Sequence, residues 1–301
     1  MLDKISKELE RVQTFALDLE TTSLDVRSLK ITHIIIATKE NCWVLPLRGD
    51  NKLPYLDTIE WLFTELKNPN RLMYGWNLAF DIRALMNHGL QEVACKIGDG
   101  FLGYKMLHER SYVNDLKTVT EKILKRSPKR FNQVTGNLFS TEEDFLAYSY
   151  DDGRNTYDLC SGYIHKKLEE ENMTKIWIDL EGEVVKANCR IMHHGIAVDA
   201  AHIRKLLDAA YPVEERLSRE IQKSAKVTFL PSSPQQLSKV LYKILAIPTE
   251  NIPVGKSGMP STNDKVLKLL EDRHPIVPLI RKYKKVTKLI GMFSPYLTEH
   301  I

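Results

Sequence analysis

The chain has 301 residues, 43% of them in the apolar AVILMFWYC set, with 43 Lys and Arg against 39 Asp and Glu for a formal net charge of +4. That length exceeds a usual single domain and that apolar fraction supports real cores, so two folded domains are expected and a disordered chain is excluded. The mild positive charge permits an anionic partner without showing one. Four scattered cysteines, Cys42, Cys95, Cys160 and Cys189, form no CxxC pair and have no histidine at ligand spacing, which argues for reduced core residues over a zinc site.

In chain order, the opening MLDKISKELERV is charged and lacks the apolar segment of a signal peptide. No apolar run approaches the roughly 20 residues that span a bilayer. A soluble, intracellular, cytoplasmic protein with no membrane partner is expected. A buried strand is predicted over 13–20. Within it Asp18 and Glu20 occupy alternate positions of an apolar run (Phe15, Ala16, Leu17, Leu19), so both acids point to one face. Buried carboxylates are strongly destabilised by desolvation, and a bound divalent cation is the usual remedy. Strands at 31–38 and 42–47 complete an antiparallel meander. A helix at 57–67 and a short strand at 72–75 come next. The helix after them, at 78–88, carries Asp81 and is ended by Gly89.

From 99 onward the pattern is helical, at 100–109, 114–124, 142–170 and 173–194. In the third of these Tyr148 and Asp152 are four residues apart and share a face, as do Asn77 and Asp81 upstream. Asp151 should face away from Asp152 by about a hundred degrees. The polar run LEEENMT marks a domain boundary near 170, although a change of helix direction would look the same. Longer amphipathic helices are expected at 199–225, 234–245, 263–271 and 276–298, with IPVGKSGMPST interrupting them at 252–262. Arg281, Lys282, Lys284, Lys285 and Lys288 form a basic run without an acid, read either as a phosphate-attracting surface or as a solvated helix face.

ALDLETTSLD, NLAFD and YSYDD resemble the three exonuclease motifs of the proofreading domain in family A (DNA polymerase I-like) DNA polymerases. The later half is similar to that family's thumb: IMHHGIAVD, SPQQLSKVLYKILAIP, SGMPSTNDKVLKLL and HPIVPLIRKYKKVTKLIGMFSPYL, in family order. The resemblance implies an α/β fold. Residues 1–170 would form an RNase H-like (DnaQ-like) exonuclease domain with a mixed sheet, and 171–301 an all-α thumb-like domain. It also implies two divalent ions, Mg²⁺ or Mn²⁺. By motif match Asp18 bridges both ions, Glu20 and Asp152 complete the shell of the one that activates water, and Asp81 acts on the second. Tyr148 orients the attacking water, since a phenol with a reference pKa of about 10 is a poor base at neutral pH. Related exonucleases carry a histidine one position before the tyrosine; here Ala147 stands there, which indicates the tyrosine subclass.

The chemistry demands as much. Cutting a nucleotide from a 3′ end needs a hydroxide nucleophile at neutral pH, neutralisation of the scissile phosphate and stabilisation of the departing 3′ oxygen, and a pair of divalent ions supplies all three. Four acids without a His or Cys partner favour Mg²⁺ or Mn²⁺ over zinc. By resemblance to the family, Thr21 and Leu24 are expected to hold the terminal nucleotide and Phe80 to stack on its base, and Asn77 is expected to contact the penultimate phosphate or order the site. Each position has a structural alternative: an ion pair for Asp18, a first-turn helix acid for Asp81, a buried aromatic for Tyr148, core packing for Leu24 and Phe80, an N-cap for Asn77.

Other features are read as structural. Gly255, Lys256 and Ser257 mimic the end of a P-loop, but Glu250 stands where its first glycine belongs. His193 and His194 before Gly195 look like a helix end, and Trp43, Trp61, Trp76 and Trp177 like core. The palm and fingers of family A lie outside this sequence, so DNA synthesis is not expected from the chain alone. Two explanations compete: a fragment of a longer polymerase, or one subunit of a polymerase split between thumb and palm, in which case a separate palm-and-fingers chain would dock near 290–301. Three functions compete: a proofreading exonuclease on DNA, a non-cleaving DNA-binding or assembly subunit, and RNase D-like trimming of RNA.

Overall fold

The computed structural model describes residues 1–48, 52–112, 114–130, 141–250, 252–255 and 258–298. They form two compact units, Met1–Gly195 and Ile196–Ile301. In the first, α1 (Leu2–Val12) leads into the expected meander of β1 (Thr14–Thr21), β2 (Ile31–Ala37) and β3 (Cys42–Pro46), paired antiparallel. The helix α2 (Tyr55–Leu66) carries the chain to β4 (Leu72–Gly75), parallel to β1. Then α3 (Ala79–Asn87) carries it to β5 (Lys96–Asp99), parallel to β4. The result is a mixed five-stranded sheet in the order β3-β2-β1-β4-β5, with β1 at its centre.

Strand alternation divides β1 between two cores. Phe15, Leu17 and Leu19 join Ile5 and Leu9 of α1, Leu62 and Leu66 of α2, and Ile82 and Leu85 of α3. Ala16 faces the opposite side with Tyr74, Tyr157, Leu159 and Trp177. Asp18 and Glu20 continue the face that Ala16 begins. After α4 (Gly100–Leu107) and α5 (Leu116–Leu124), that face is covered by a helical run made of α6 (Glu142–Tyr157), a π-helical turn (Asp158–Ile164) and α7 (His165–Glu170).

The boundary expected at 170 falls inside the first unit, at a change of helix direction where Asn172 has φ +59°. Beyond that turn the chain is pinned to the sheet. Trp177, fully buried, stacks on Tyr74 with ring centroids 6.0 Å apart, and its Nε1 donates to Asp99 O at 2.8 Å. A second π-helical turn (Ile176–Glu181) and α8 (Gly182–His194) bring Val185 and Cys189 into the first core. Gly195, at φ +73°, ends α8 behind His193 and His194.

The second unit is helical: α9 (Ala200–Ala225), α10 (Pro234–Ser238) prolonged by a π-helical turn (Lys239–Ile244), α11 (Asp264–Leu269), α12 (Ile276–Phe293) and α13 (Pro295–Thr298). Leu217 and Ile221 of α9 pack with Leu237, Leu241, Leu267 and Ile280. Ser233 and Asn263 cap the starts of α10 and α11, each accepting the backbone N–H of the third helical residue. Among the described residues no helix is long and apolar enough to cross a membrane.

Candidate metal centre

Three of the four predicted acids converge. Oxygen atoms of Asp18 and Glu20 from β1 and of Asp152 from α6 all lie within 4.8 Å of one another. The close approach of α6 depends on Gly153, because a Cβ there would collide with the Ile35 side chain and press on Cys42 Sγ. Arg154 then fastens the helix to the sheet. Its Nη1 donates to Thr38 O at 2.6 Å, while Nη2 pairs with Asp158 at 2.6 Å. At the other end of α6, Thr141 and Asp144 form a reciprocal capping box. Asp151 is exposed and Asp152 buried, as helical geometry requires.

Asp81 stands one step behind that cluster, in the first turn of α3 and 4% exposed. Its Oδ1 accepts the N–H of Leu19 at 3.1 Å, so it fastens the strand between Asp18 and Glu20. The start of α3 is itself held by Asp99, which sequence reasoning missed. One buried Asp99 carboxylate accepts N–H groups of Asn77 and Leu78 at 3.3 and 2.8 Å, and of Phe101 and Leu102 at 2.9 and 3.3 Å. Donors left open at two helix starts are thus satisfied together.

Two further residues join the acids without having been anticipated. Ser149, fully buried, has its one hydroxyl proton shared between two acceptors, Glu20 Oε1 at 3.3 Å and Phe145 O at 3.0 Å. Lys117 of α5 places its ammonium against Asp152 Oδ1, 4.1 Å from the centroid of the Tyr148 ring. Nothing in a local sequence window links Lys117 to Asp152; only the tertiary fold does. Lys117 and Asp152 side chains are 12% and 7% exposed.

Burial dominates the electrostatics. It pushes the Asp18 carboxyl up to about 6 against the attraction of Lys117. Burial and then the charge of Asp18 push Glu20 up to about 7, with the Ser149 hydroxyl opposing. Asp81 is raised well above the usual carboxylate range, by burial first and Asp18 second. Burial also lowers the Lys117 ammonium to about 8, despite the pull of Asp18 and Glu20. The phenol of Tyr148, raised by burial and by the two acids, stays protonated and can donate but cannot act as a base.

The residues expected around the nucleotide are spread more widely. Leu24 is 86% exposed, which removes the core alternative. Thr21 Oγ1 donates to Ser23 O at 2.9 Å. Phe80 is partly buried against the first core. Asn77, exposed at φ +63°, precedes the N-cap of α3, which is Leu78, so the N-cap alternative for Asn77 falls too. In the second unit the basic run divides. Arg281 pairs with Asp264 at 3.1 Å and with Glu271, and Lys284 donates to Thr262 O at 2.6 Å. Lys282, Lys285 and Lys288 remain exposed on α12. In the expected docking segment Ile290 is buried while Met292 and Tyr296 are exposed, and Ile301 lies outside the described residues, as do Lys256 and Ser257.

Comparison with known proteins places this geometry. The family described as 3′-5′ exonuclease matches residues 1–179, more than half of the chain. The chain belongs to the 3′-5′ exonuclease family. Its later part, residues 202–301, matches the family described as DNA polymerase family A. Among relatives, this exonuclease-family chain is 26% identical to DNA polymerase I of Borreliella burgdorferi, over 100% of its own length and 33% of the relative's. It is also 26% identical to DNA polymerase I of Pseudomonas aeruginosa, over 98% and 34% respectively. The chain therefore spans about a third of the length of these relatives. A solved structure of the POL domain of Pol1 from M. smegmatis, in complex with DNA primer-template and dNTP, shares the fold at a TM-score of 0.80 and 15% identity. That match covers 98% of this chain and 48% of the other.

Proposed function

We propose that the chain is a divalent-metal-dependent 3′ to 5′ exonuclease, hydrolysing the terminal phosphodiester of single-stranded or frayed DNA and releasing nucleoside monophosphates in a proofreading role. The observation that carries this is the convergence of Asp18, Glu20 and Asp152 within 4.8 Å, in a family named for that activity. The donor set fits a hard divalent ion such as Mg²⁺ or Mn²⁺. It is all oxygen, Asp152 is buried with Asp18 and Glu20 partly so, and its three carboxylates outnumber the one ammonium of Lys117. Asp18, Glu20 and Asp152 would hold an ion directly, and Asp81 would act on a second through water. When bound, such ions supply a hydroxide nucleophile at neutral pH and neutralise charge on the phosphate and the departing oxygen.

The side chains do the rest. Ser149 and the Leu19–Asp81 hydrogen bond fix the two β1 acids, so little reorganisation is left for the moment of reaction. Tyr148, protonated and beside the acids, orients water by hydrogen bonding. Exposed Leu24 and partly buried Phe80 bracket the terminal base by apolar contact and stacking, which tolerates any base. Thr21 and Asn77 hold its backbone. The helical unit contributes a duplex-gripping, thumb-like surface through Lys282, Lys285 and Lys288.

The test is a 5′-labelled oligonucleotide, as DNA and as RNA, incubated with Mg²⁺, Mn²⁺ or EDTA. A ladder shortening from the 3′ end of DNA, absent in EDTA and in Asp18→Ala, supports the proposal. Binding without cleavage would make the chain an assembly subunit, and preference for RNA would make it an RNA trimmer.

A further inference from the structure

We infer that Lys117 is the resident cation of the acid cluster: its ammonium holds Asp18, Glu20 and Asp152 converged before a divalent ion enters, and it must release Asp152 when one does. The inference rests on the metal-centre reading above and adds a competitor to it. A lysine is rarely buried unless paired. Here the second residue of α5 turns inward, its ammonium against Asp152 and over the Tyr148 ring, with 12% of the side chain exposed. The helix that carries it is fixed by Asp115, whose side chain accepts the Thr118 N–H at 3.0 Å, so Lys117 is delivered to the acids by a capped turn and not by a loose loop.

Charge and space set its role. Three carboxylates and one ammonium leave the cluster two charges short of neutrality, the amount that one divalent ion supplies. Asp152 Oδ1 faces the ammonium directly, so an ion ligated there competes with Lys117 for the same oxygen. Two like charges a few ångströms apart repel strongly where water is excluded. Lys117 therefore keeps the carboxylates from splaying apart in the ion-free chain, and weakens divalent binding in proportion. It is a positioning residue. Tyr148 supplies a second resting place for the displaced ammonium through its ring face.

The test uses the whole chain, with Mn²⁺ binding followed by calorimetry and melting followed in EDTA, both at pH 7, where the Lys117 ammonium is still largely charged. Lys117→Met keeps an unbranched stem of similar length and removes the charge. It should bind Mn²⁺ at least about tenfold tighter, the scale of one unit charge at this range, while melting below wild type in EDTA and recovering in saturating Mn²⁺. Should Lys117→Met fail to fold, Lys117→Arg carries the test. A guanidinium gripping Asp152 keeps the charge and yields it less readily, so Mn²⁺ binding should weaken several-fold. Affinity unchanged in the variant that folds, with binding abolished by Asp18→Ala, overturns the role of Lys117 and leaves the metal centre standing. Absence of Mn²⁺ binding in the wild type overturns both.

Discussion

Charge is handled in opposite ways by the two units. In the first, ionisable groups are drawn inward: Asp81, Asp152 and Lys117 are nearly covered, and burial raises Asp18 and Asp81 and lowers the Lys117 amine. In the second, the basic run divides: Lys282, Lys285 and Lys288 stay at the surface, while Arg281 and Lys284 are partly buried and satisfied by neighbours within the unit, Arg281 by Asp264 and Glu271, Lys284 by Thr262 O. Buried charge must have a reason, because its desolvation is expensive; exposed charge need not. The acid cluster therefore points to one chemistry, while the basic helix face supports only a graded attraction for phosphate.

The contrast between the units breaks most sharply at Asp18. Asp18→Ala should lower the rate of 3′ trimming on the order of a thousandfold, about 4 kcal/mol of transition-state stabilisation, with binding of single-stranded DNA changed little. Single-turnover kinetics beside a filter-binding isotherm would show it. A variant that cleaves at a tenth of the native rate would move Asp18 out of the chemistry. Next in size is Gly153→Val. Its added carbons run into Ile35 and Cys42, an overpacking worth roughly 1–3 kcal/mol that also pushes Asp152 away from β1. Chemical denaturation should find the lower stability, and a matching fall in Mn²⁺ affinity should accompany it; reduced stability with affinity intact would detach α6 packing from the site.

On the basic side the expected effects are smaller and depend on salt. Replacing Lys282, Lys285 and Lys288 together by alanine should weaken duplex binding and flatten the plot of log affinity against log salt by about 0.9 for each phosphate that is no longer neutralised. Trimming of single strands should stay near native. Arg281→Ala should instead lower the melting temperature of the second unit with the salt slope unchanged, since its guanidinium is satisfied within that unit. Equal slopes for the two variants would erase the distinction between them.

The smallest effect expected is that of pH on the ion-free chain. Asp18 and Glu20 titrate near 6 and 7 when folded, above their ordinary 3.8 and 4.5. For groups raised in the folded state, stability is fullest below the unfolded values and is lost as pH rises through the folded ones. Melting in EDTA should therefore fall between about pH 4 and pH 7, and Glu20→Gln should flatten part of that decline. Mn²⁺ binding at pH 6 should release protons and at pH 9 release few, measurable as a dependence of the calorimetric heat on buffer. A flat profile in both would mean that the two acids are not held out of water.

Much of this was legible in the chain itself, for physical reasons. The alternation that puts Asp18 and Glu20 on one face of β1, and the four-residue spacing that puts Tyr148 and Asp152 on one face of α6, are fixed by backbone geometry alone, and the structure keeps both. The meander and the long helices followed from their apolar periods. The elements that escaped were short, over-charged or tertiary. Only Ile5 and Leu9 of α1 are buried, hidden among charged neighbours. The four residues of β5 include a glycine and carry little strand signal. The polar stretch near 170 turns a helix without ending the unit, because Trp177 and Cys189 beyond it pack into cores of the first unit. Asp99 and Lys117 make their contacts across tens of residues, where no periodicity can announce them, whereas Ser149, three residues before Asp152 on α6, is within reach of helical spacing, a signal that sequence reasoning missed.

The central claim is that the oxygens of Asp18, Glu20 and Asp152 seat a divalent ion. Crystals soaked in Mn²⁺ and measured at its absorption edge test it most directly. The account predicts an anomalous peak bounded by those three side chains, with the Lys117 ammonium moved off Asp152. A well-ordered site with no peak there, or with manganese held only at surface acids elsewhere, would contradict it.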